Sequence, residues 1–310
     1  MESPRSHMID LSNGVRPVFR FLRANPTWYE SVEKVSISYG ERSTSCMQMM
    51  MDEDDLFNLF AVVGSFPMLQ TLTIHFEDQL LPVSALTVLL QQAQGLSELG
   101  LFHLRLMGSV EDFDALEETV QQHQVLEAVR LVHCRRHDYD HHYFSDNFSS
   151  DNSHCSPNSS IAFDDKENSA CHPNTTPATA SITPRSGSKI KRIPHIFCQS
   201  PCLRRLWLQD CPDYQIESVA QAIQADDSPS RLKELSIVSS TVGDRGIESL
   251  SKMLKSETGS LEALSITVFR RQAIRVAEAA DCNSTLKKLT CDILNPMNKP
   301  TLLAHGPMRI

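Results

Sequence analysis

The sequence predicts an α/β chain in which short parallel strands alternate with helices in a regular stack, broken once by a long polar insertion. Three observations carry this expectation: a recurring apolar motif, its near-constant stride, and the helical patterns between its copies. The motif reads apolar, two residues, apolar, one residue, apolar. It occurs as Val32-Val35-Ile37, Leu69-Leu72-Ile74, Leu96-Leu99-Leu101 and Leu126-Val129-Leu131. It returns as Leu203-Leu206-Leu208, Leu232-Leu235-Ile237, Leu261-Leu264-Ile266 and Leu286-Leu289-Cys291. First positions fall 27 apart (69 to 96), 30 (96 to 126), 29 (203 to 232), 29 (232 to 261) and 25 (261 to 286). A fixed period of this size marks a repeat architecture.

Each motif predicts a short strand, because its last two apolar positions alternate and so share one face. Helical spacing follows at Leu86, Leu89 and Leu90, at Phe113, Leu116 and Val120, at Ile216, Val219, Ala220 and Ile223, and at Val276, Ala277 and Ala280. One strand and one helix cannot bury their own apolar faces. Stacked neighbours can, which gives a solenoid with a parallel sheet on one side and helices on the other. A doubly wound α/β domain is the competing arrangement. The strands are too short for it, and no glycine-rich phosphate loop opens a helix. The longer first step, 32 to 69, holds a helix candidate at DLFNLFAVV, with Asp52 to Asp55 at its positive end and Gly64 after it.

These residues resemble the leucine-rich repeat, and the stride resembles its ribonuclease-inhibitor type. The fullest unit is LKELSIVSSTVGDRGIESLSKML, residues 232–254, in which Gly243 and Gly246 sit in the loop and Ile247, Leu250 and Leu254 line one helix face. The family's turn position, Asn or Cys three residues after the last strand Leu, is matched by Cys134 and Cys211; Ser240 and Phe269 depart from it. The resemblance covers roughly residues 30 to 292 and implies a curved parallel sheet on the concave face with helices on the convex face. The expected organisation is an N-terminal cap or loose segment at 1–30, repeats at 31–134, a disordered insertion at 135–195, repeats at 196–292 and an irregular tail at 293–310. The tail has three prolines and no helix pattern. A solenoid needs a closing cap, and none is evident, so this end is expected to be frayed or covered by a partner.

The insertion holds 15 Ser/Thr, five Pro and few aliphatics, a composition that cannot bury enough surface to order itself. Ile190, Ile193, Ile196 and Phe197 are expected to restore apolar cover before the next strand, so that the insertion loops out and the strands at 126 and 203 become neighbours. Within it, Lys166-Glu167-Asn168 resembles a KEN degron. Ser156-Pro157, Thr176-Pro177 and Thr183-Pro184 have the form of proline-directed phosphorylation sites. Lys189, Lys191 and Arg192 have that of a weak nuclear-import patch, and Asn147, Asn158 and Asn174 open glycosylation sequons. The bland readings are that a Ser/Thr/Pro-rich tract produces such pairs by composition, a three-residue KEN match recurs easily by chance, three charges are solvation, and the sequons are idle without a secretory signal.

Charge and composition limit the function classes. Lys and Arg total 29 against 38 Asp and Glu, a net charge of −9, so no nucleic-acid partner is expected. No run of 18 apolar residues spans a bilayer and no secretory h-region opens the chain, so no membrane role is expected and the location is cytoplasmic or nuclear. The nine cysteines are scattered without CxxC spacing and read as reduced thiols. His133, Cys134, His137, Asp138, Asp140, His141 and His142 form one cluster of metal-ligand types, and His195, Cys198, Cys202 and Cys211 form another. Neither has a standard ligand spacing, and no cofactor or metal is expected. No phosphate loop, dinucleotide loop, zinc-protease or serine-hydrolase motif occurs, and the chain is read as a non-enzyme.

A partner is expected on the concave face. Residues flanking the motif's apolar positions point there, and most are small and polar. The exceptions gather at the centre: Phe102, Arg130, Val132, Arg205 and Trp207. Arg130 is expected beside Trp207 at cation–π range. Exposed Trp, Phe and Arg at the middle of a face have the composition of an interface hot spot. The leading reading is therefore a monomeric, non-catalytic module that binds a protein. The family resemblance also implies a GTPase activator of the Ran-activator type, which would accelerate GTP hydrolysis, or a ubiquitin-ligase substrate adaptor, for which residues 1–30 lack an F-box-like segment.

Overall fold

The computed structural model describes residues 6–12, 14–25, 27–39, 52–77, 79–137, 192–225, 231–238, 242–256 and 260–294. They belong to one compact unit drawn from both sides of the 138–191 segment. The fold is mixed α/β. Its main element is a nine-stranded sheet in which every neighbouring pair is parallel.

The strands of this sheet are β1 (Ser6–Asp10), β2 (Lys34–Tyr39), β3 (Thr71–Phe76), β5 (Glu98–Phe102), β7 (Ala128–Val132), β9 (Arg205–Gln209), β10 (Glu234–Val238), β11 (Ala263–Phe269) and β12 (Lys288–Leu294). They lie side by side in chain order. Three shorter strands, β4 (Leu80–Pro82), β6 (Arg105–Met107) and β8 (Arg135–Arg136), make a second parallel sheet that the sequence reading did not anticipate. Helices return the chain between strands: α1 (Arg16–Ala24), α2 (Glu53–Gly64), α3 (Val83–Gln92), α4 (Val110–Gln122), α5 (Ile193–Cys198), α6 (Asp213–Gln224), α7 (Asp244–Lys255) and α8 (Arg270–Ala280). From α2 to α8, each packs on the next.

Alternation builds the core. In β9 the pattern places Leu206 and Leu208 inside and leaves Arg205, Trp207 and Gln209 on the other face. The inward residues join one continuous cluster with the helix residues that share the motif's spacing, among them Leu86, Leu116, Val219, Leu250 and Val276. Parallel pairing aligns equal motif positions: Leu72 with Leu99, Leu99 with Val129, Val129 with Leu206 and Leu206 with Leu235. Ahead of each strand, one carbonyl accepts from two consecutive N–H groups of the next unit. Gln70 takes those of Ser97 and Glu98, Ser97 those of Glu127 and Ala128, Glu127 those of Arg204 and Arg205, and Arg204 those of Lys233 and Glu234.

The two ends of the sheet differ. At the first, a ring cluster joins β1 and α1 to the following units, with Trp28 edge-on to His7, Phe21 and Phe66 at 4.5, 5.1 and 6.0 Å. The stretch expected as a cap or loose segment thus includes a strand and a helix. At the last, β12 has no strand beyond it among the described residues.

Around the insertion, described structure continues to His137 and resumes at Arg192, so β8 and the start of α5 fall inside the stretch expected to be disordered. Ile193, Ile196 and Phe197 are buried as expected; Ile190 lies outside the described residues. The degron-like, phosphorylation-like and sequon motifs lie outside them too, as do Lys189 and Lys191. Arg192 is engaged. Its guanidinium stacks 5.0 Å from the Tyr214 ring, donates to the Tyr214 carbonyl and faces Glu217. No helix among the described residues is long and apolar enough to cross a membrane.

Candidate functional site

Three adjacent strands, β5, β7 and β9, carry the candidate site on the face of the sheet turned away from the helices. Register arranges it in rows. Glu98, Ala128 and Arg205 form the first row, Gly100, Arg130 and Trp207 the second, and Phe102, Val132 and Gln209 the third. The direct pairing of β7 with β9 brings Arg130 and Trp207 into one row although 76 residues separate them in sequence (131 to 206).

Arg130 does not take the ring partner expected of it. Arg130 is the register partner of Trp207, yet its guanidinium lies 5.3 Å from the Phe102 ring and donates to Gln209 Oε1 at 3.4 Å. Arg205 takes the indole instead, at 5.5 Å from its ring. The cause is reach. Side chains in one parallel row project side by side, so a long guanidinium meets the row above or a ring on its own strand. Arg205 also pairs with Glu98 Oε1 at 3.1 Å, reaching across β7. Ala128 lies between those partners and is small enough to let the pair form over it.

Val132 is a correction. It was expected on the exposed patch, but it is only 3% accessible. Phe102 and Gln209 flank it in the same row, and Arg130 leans between them. Val132 supports the patch from below and offers no contact surface.

Gly100 explains the shape of the site. A Cβ at this position would stand 2.7 Å from Phe102 Cε2, so the phenyl ring folds back over the glycine. With Gly100 and Ala128 as a low floor, Thr73, Glu98, Phe102, Arg130 and Trp207 rise around a hollow of about 230 Å³. Phe102 and Trp207 give it aromatic walls, and its lining includes the Arg130 guanidinium and the Glu98 carboxylate; Arg205 stands outside, against Trp207 and Glu98. Cation–π contacts at exposed positions contribute about 0.5–1 kcal/mol each, and an exposed ion pair contributes about 0–1 kcal/mol. These contacts therefore position the side chains more than they stabilise the fold. The site can take an apolar side chain into the hollow and an anionic group against Arg130, which is the exposed cation of the two.

A second row, missed by the sequence reading, borders the site. His103, His133 and Asp210 each follow a strand directly and each has a left-handed backbone, with φ of 55°, 50° and 52°. His and Asp are among the side chains that tolerate this conformation best. The His103 and His133 rings stack at 4.8 Å, and His133 Nε2 stands 3.0 Å from Asp210 Oδ2. The signal was available as a polar residue at the same motif position in consecutive units.

The metal-ligand clusters do not assemble among the described residues, where no three His, Cys, Asp or Glu side chains converge. Asp138, Asp140, His141 and His142 lie outside those residues. His195 Nδ1 faces the Ser218 carbonyl, Cys202 donates to the Gln124 carbonyl and Cys198 is buried. Cys134 and Cys211 occupy the buried turns after β7 and β9. Burial pushes both thiols, and that of Cys198, up to about 12, so none provides a thiolate nucleophile at neutral pH.

A scan against protein-family models finds no match for this chain, and a search of curated proteins finds none.

Proposed function

We propose that the chain is a leucine-rich-repeat solenoid of the ribonuclease-inhibitor-like type that works without catalysis, holding a partner protein on the open face of its sheet. The constant stride, the chain-order parallel strands and the recurring two-bond junctions support the repeat reading. The binding reading rests on one observation above all: an aromatic hollow with Arg130 and Glu98 in its lining, at the centre of the open face of the sheet. On the flanking strands the same rows continue with Thr71, Ser236 and Ser265, which offer little buried area to a partner. Trp and Arg in a central pocket supply the anchors that dominate protein interfaces. The partner is expected to present an apolar side chain flanked by an acidic one.

The test compares the wild type with a Trp207→Ala, Arg130→Ala double variant. Partners captured by each are quantified, and the strongest is then titrated against both proteins at matched thermal stability. Loss of a hot-spot pair costs about 2 kcal/mol or more, roughly 30-fold in Kd. Phe replaces Trp28 in a companion protein, leaving Trp207 as the sole indole, so its emission reports occupancy directly. Equal affinities, with unchanged Trp207 emission on binding, would remove the hollow as the site.

A further inference from the structure

The last strand carries core positions that lack cover. Val268 in β11 is 1% accessible, whereas its register partner Ile293 in β12 is 57%. Leu264 is 1% accessible and its partner Leu289 is 9%, the highest value at that motif position. Cys291 and Leu286 are half-buried where their counterparts are buried. The helix layer repeats the pattern. Arg271 and Arg275 of α8 turn toward Asp244 of α7, which leaves half-buried Ala273 and Ala277 on the opposite flank. In the first strand the inward Ile9 is 6% accessible against 0% for its partner Ile37.

An uncovered edge strand presents a row of backbone donors and acceptors, and proteins commonly protect such edges with charge. The charges on β12 are of opposite sign. Lys288 and Asp292 share its outer face about 13 Å apart, at about 3.3 Å per residue, too far to pair with each other. Neither has an ion-pair partner among the described residues.

We infer that β12 pairs antiparallel with β12 of a second copy, about a two-fold axis at Thr290. In that register Lys288 stands opposite Asp292 of the other copy, and the same pair forms again across the axis. Opposed residues share a face, so Leu289 meets Cys291 on the core side, and the Lys287 stem lies over Ile293. The two α8 flanks approach on the helix side. The interface is isologous and closes at two copies. The proposal is independent of the hollow on β5, β7 and β9, and it replaces the expectation of a monomer.

Charge reversal tests it in the full chain. Sedimentation equilibrium on the wild type at tens of micromolar is expected to give twice the 34.8 kDa mass of one chain. Asp292→Lys opposes Lys288 with lysine at both pairs and is expected to weaken the dimer at least tenfold. The double variant Lys288→Asp, Asp292→Lys restores both pairs and is expected to restore the dimer, which separates charge pairing from any general damage to the strand. A monomeric wild type, as when residues 295–310 or another protein cover the edge, would overturn the inference. Mass that keeps growing with concentration would do so as well, because it signals open head-to-tail pairing. So would an Asp292→Lys dimer of wild-type strength, failure of the double variant to recover, or loss of the dimer in the Trp207→Ala, Arg130→Ala protein.

Discussion

Burial fixes the protonation state of His123. The ring is buried after α4, and its Nε2 donates to the Ala93 carbonyl at 3.1 Å, because a carbonyl only accepts. Its Nδ1 has no hydrogen-bond partner among the described residues. Protonation would place a charge and an unpaired donor in the interior. Desolvation accordingly lowers the pKa from 6.5, and the bond to Ala93 only partly opposes that shift. Below pH 6.5 the unfolded chain binds a proton that the folded chain refuses, so stability is complete above that pH and falls as acid is added, down to the lowered folded value. The expected result is a drop in melting temperature between pH 7 and pH 5 that shrinks when His123 is replaced by Gln, whose amide keeps the donor. Parallel melting curves for the two proteins across that range would show that His123 does not titrate on unfolding. The same residue scale decides the patch. Side-chain length sends Arg130 to Phe102 and Arg205 to Trp207 and Glu98, and a two-residue period cannot foresee it.

Between neighbouring elements, polar side chains tie one helix start to the next. Asp213 opens α6, and its Oδ1 accepts from the Gly243 N–H at 2.7 Å. Gly243 is the N-cap of α7 and has no side chain to cap with. Its φ of −81° is ordinary for any residue, so what the position demands is space: an added Cβ would run into the Asp213 carboxylate. One unit's carboxylate thus accepts the N–H that opens the following unit's helix. Asp213→Ala is expected to cost about 0.5–2 kcal/mol, the range for losing a side-chain acceptor at a helix start. Gly243→Ala is expected to cost a comparable amount by displacing that carboxylate. Because both changes break one contact, urea denaturation of the double variant should show a loss smaller than the two single losses combined, by about 0.5 kcal/mol or more. Strict additivity would mean that the two residues act separately. Such ties are hard to read from sequence, since Asp213 and Gly243 lie in different units and look like an ordinary helix start and a loop glycine. The strands were legible because their apolar alternation repeats. The sheet of β4, β6 and β8 was not, because two or three residues carry no period.

For the whole chain, stride and register made most of the fold visible, including the pairing of β7 with β9 across the insertion. Four of the five proposed contact residues reach the open face, and Val132 fails because its neighbours are large. The depth of the site comes from Gly100 and Ala128, which a search for large exposed residues passes over. The junction of β7 with β9 has a further consequence. Its bonds come from described residues on either side: Glu127 accepts from Arg204 and Arg205, and His133 donates to Gln209. If the chain is the proposed stack, stability is close to the sum of units and their nearest-neighbour interfaces, and these bonds join the two halves of the sheet directly. Replacing them with a Gly/Ser linker of about 20 residues, with a mean span of roughly 25 Å, is expected to leave cooperative unfolding intact and the melting temperature within a few degrees of wild type. Hydrogen exchange should show Leu206 and Leu208 amides as protected as before. If unfolding instead splits into two transitions, or protection in β9 collapses, the excised segment itself holds the two halves of the sheet together.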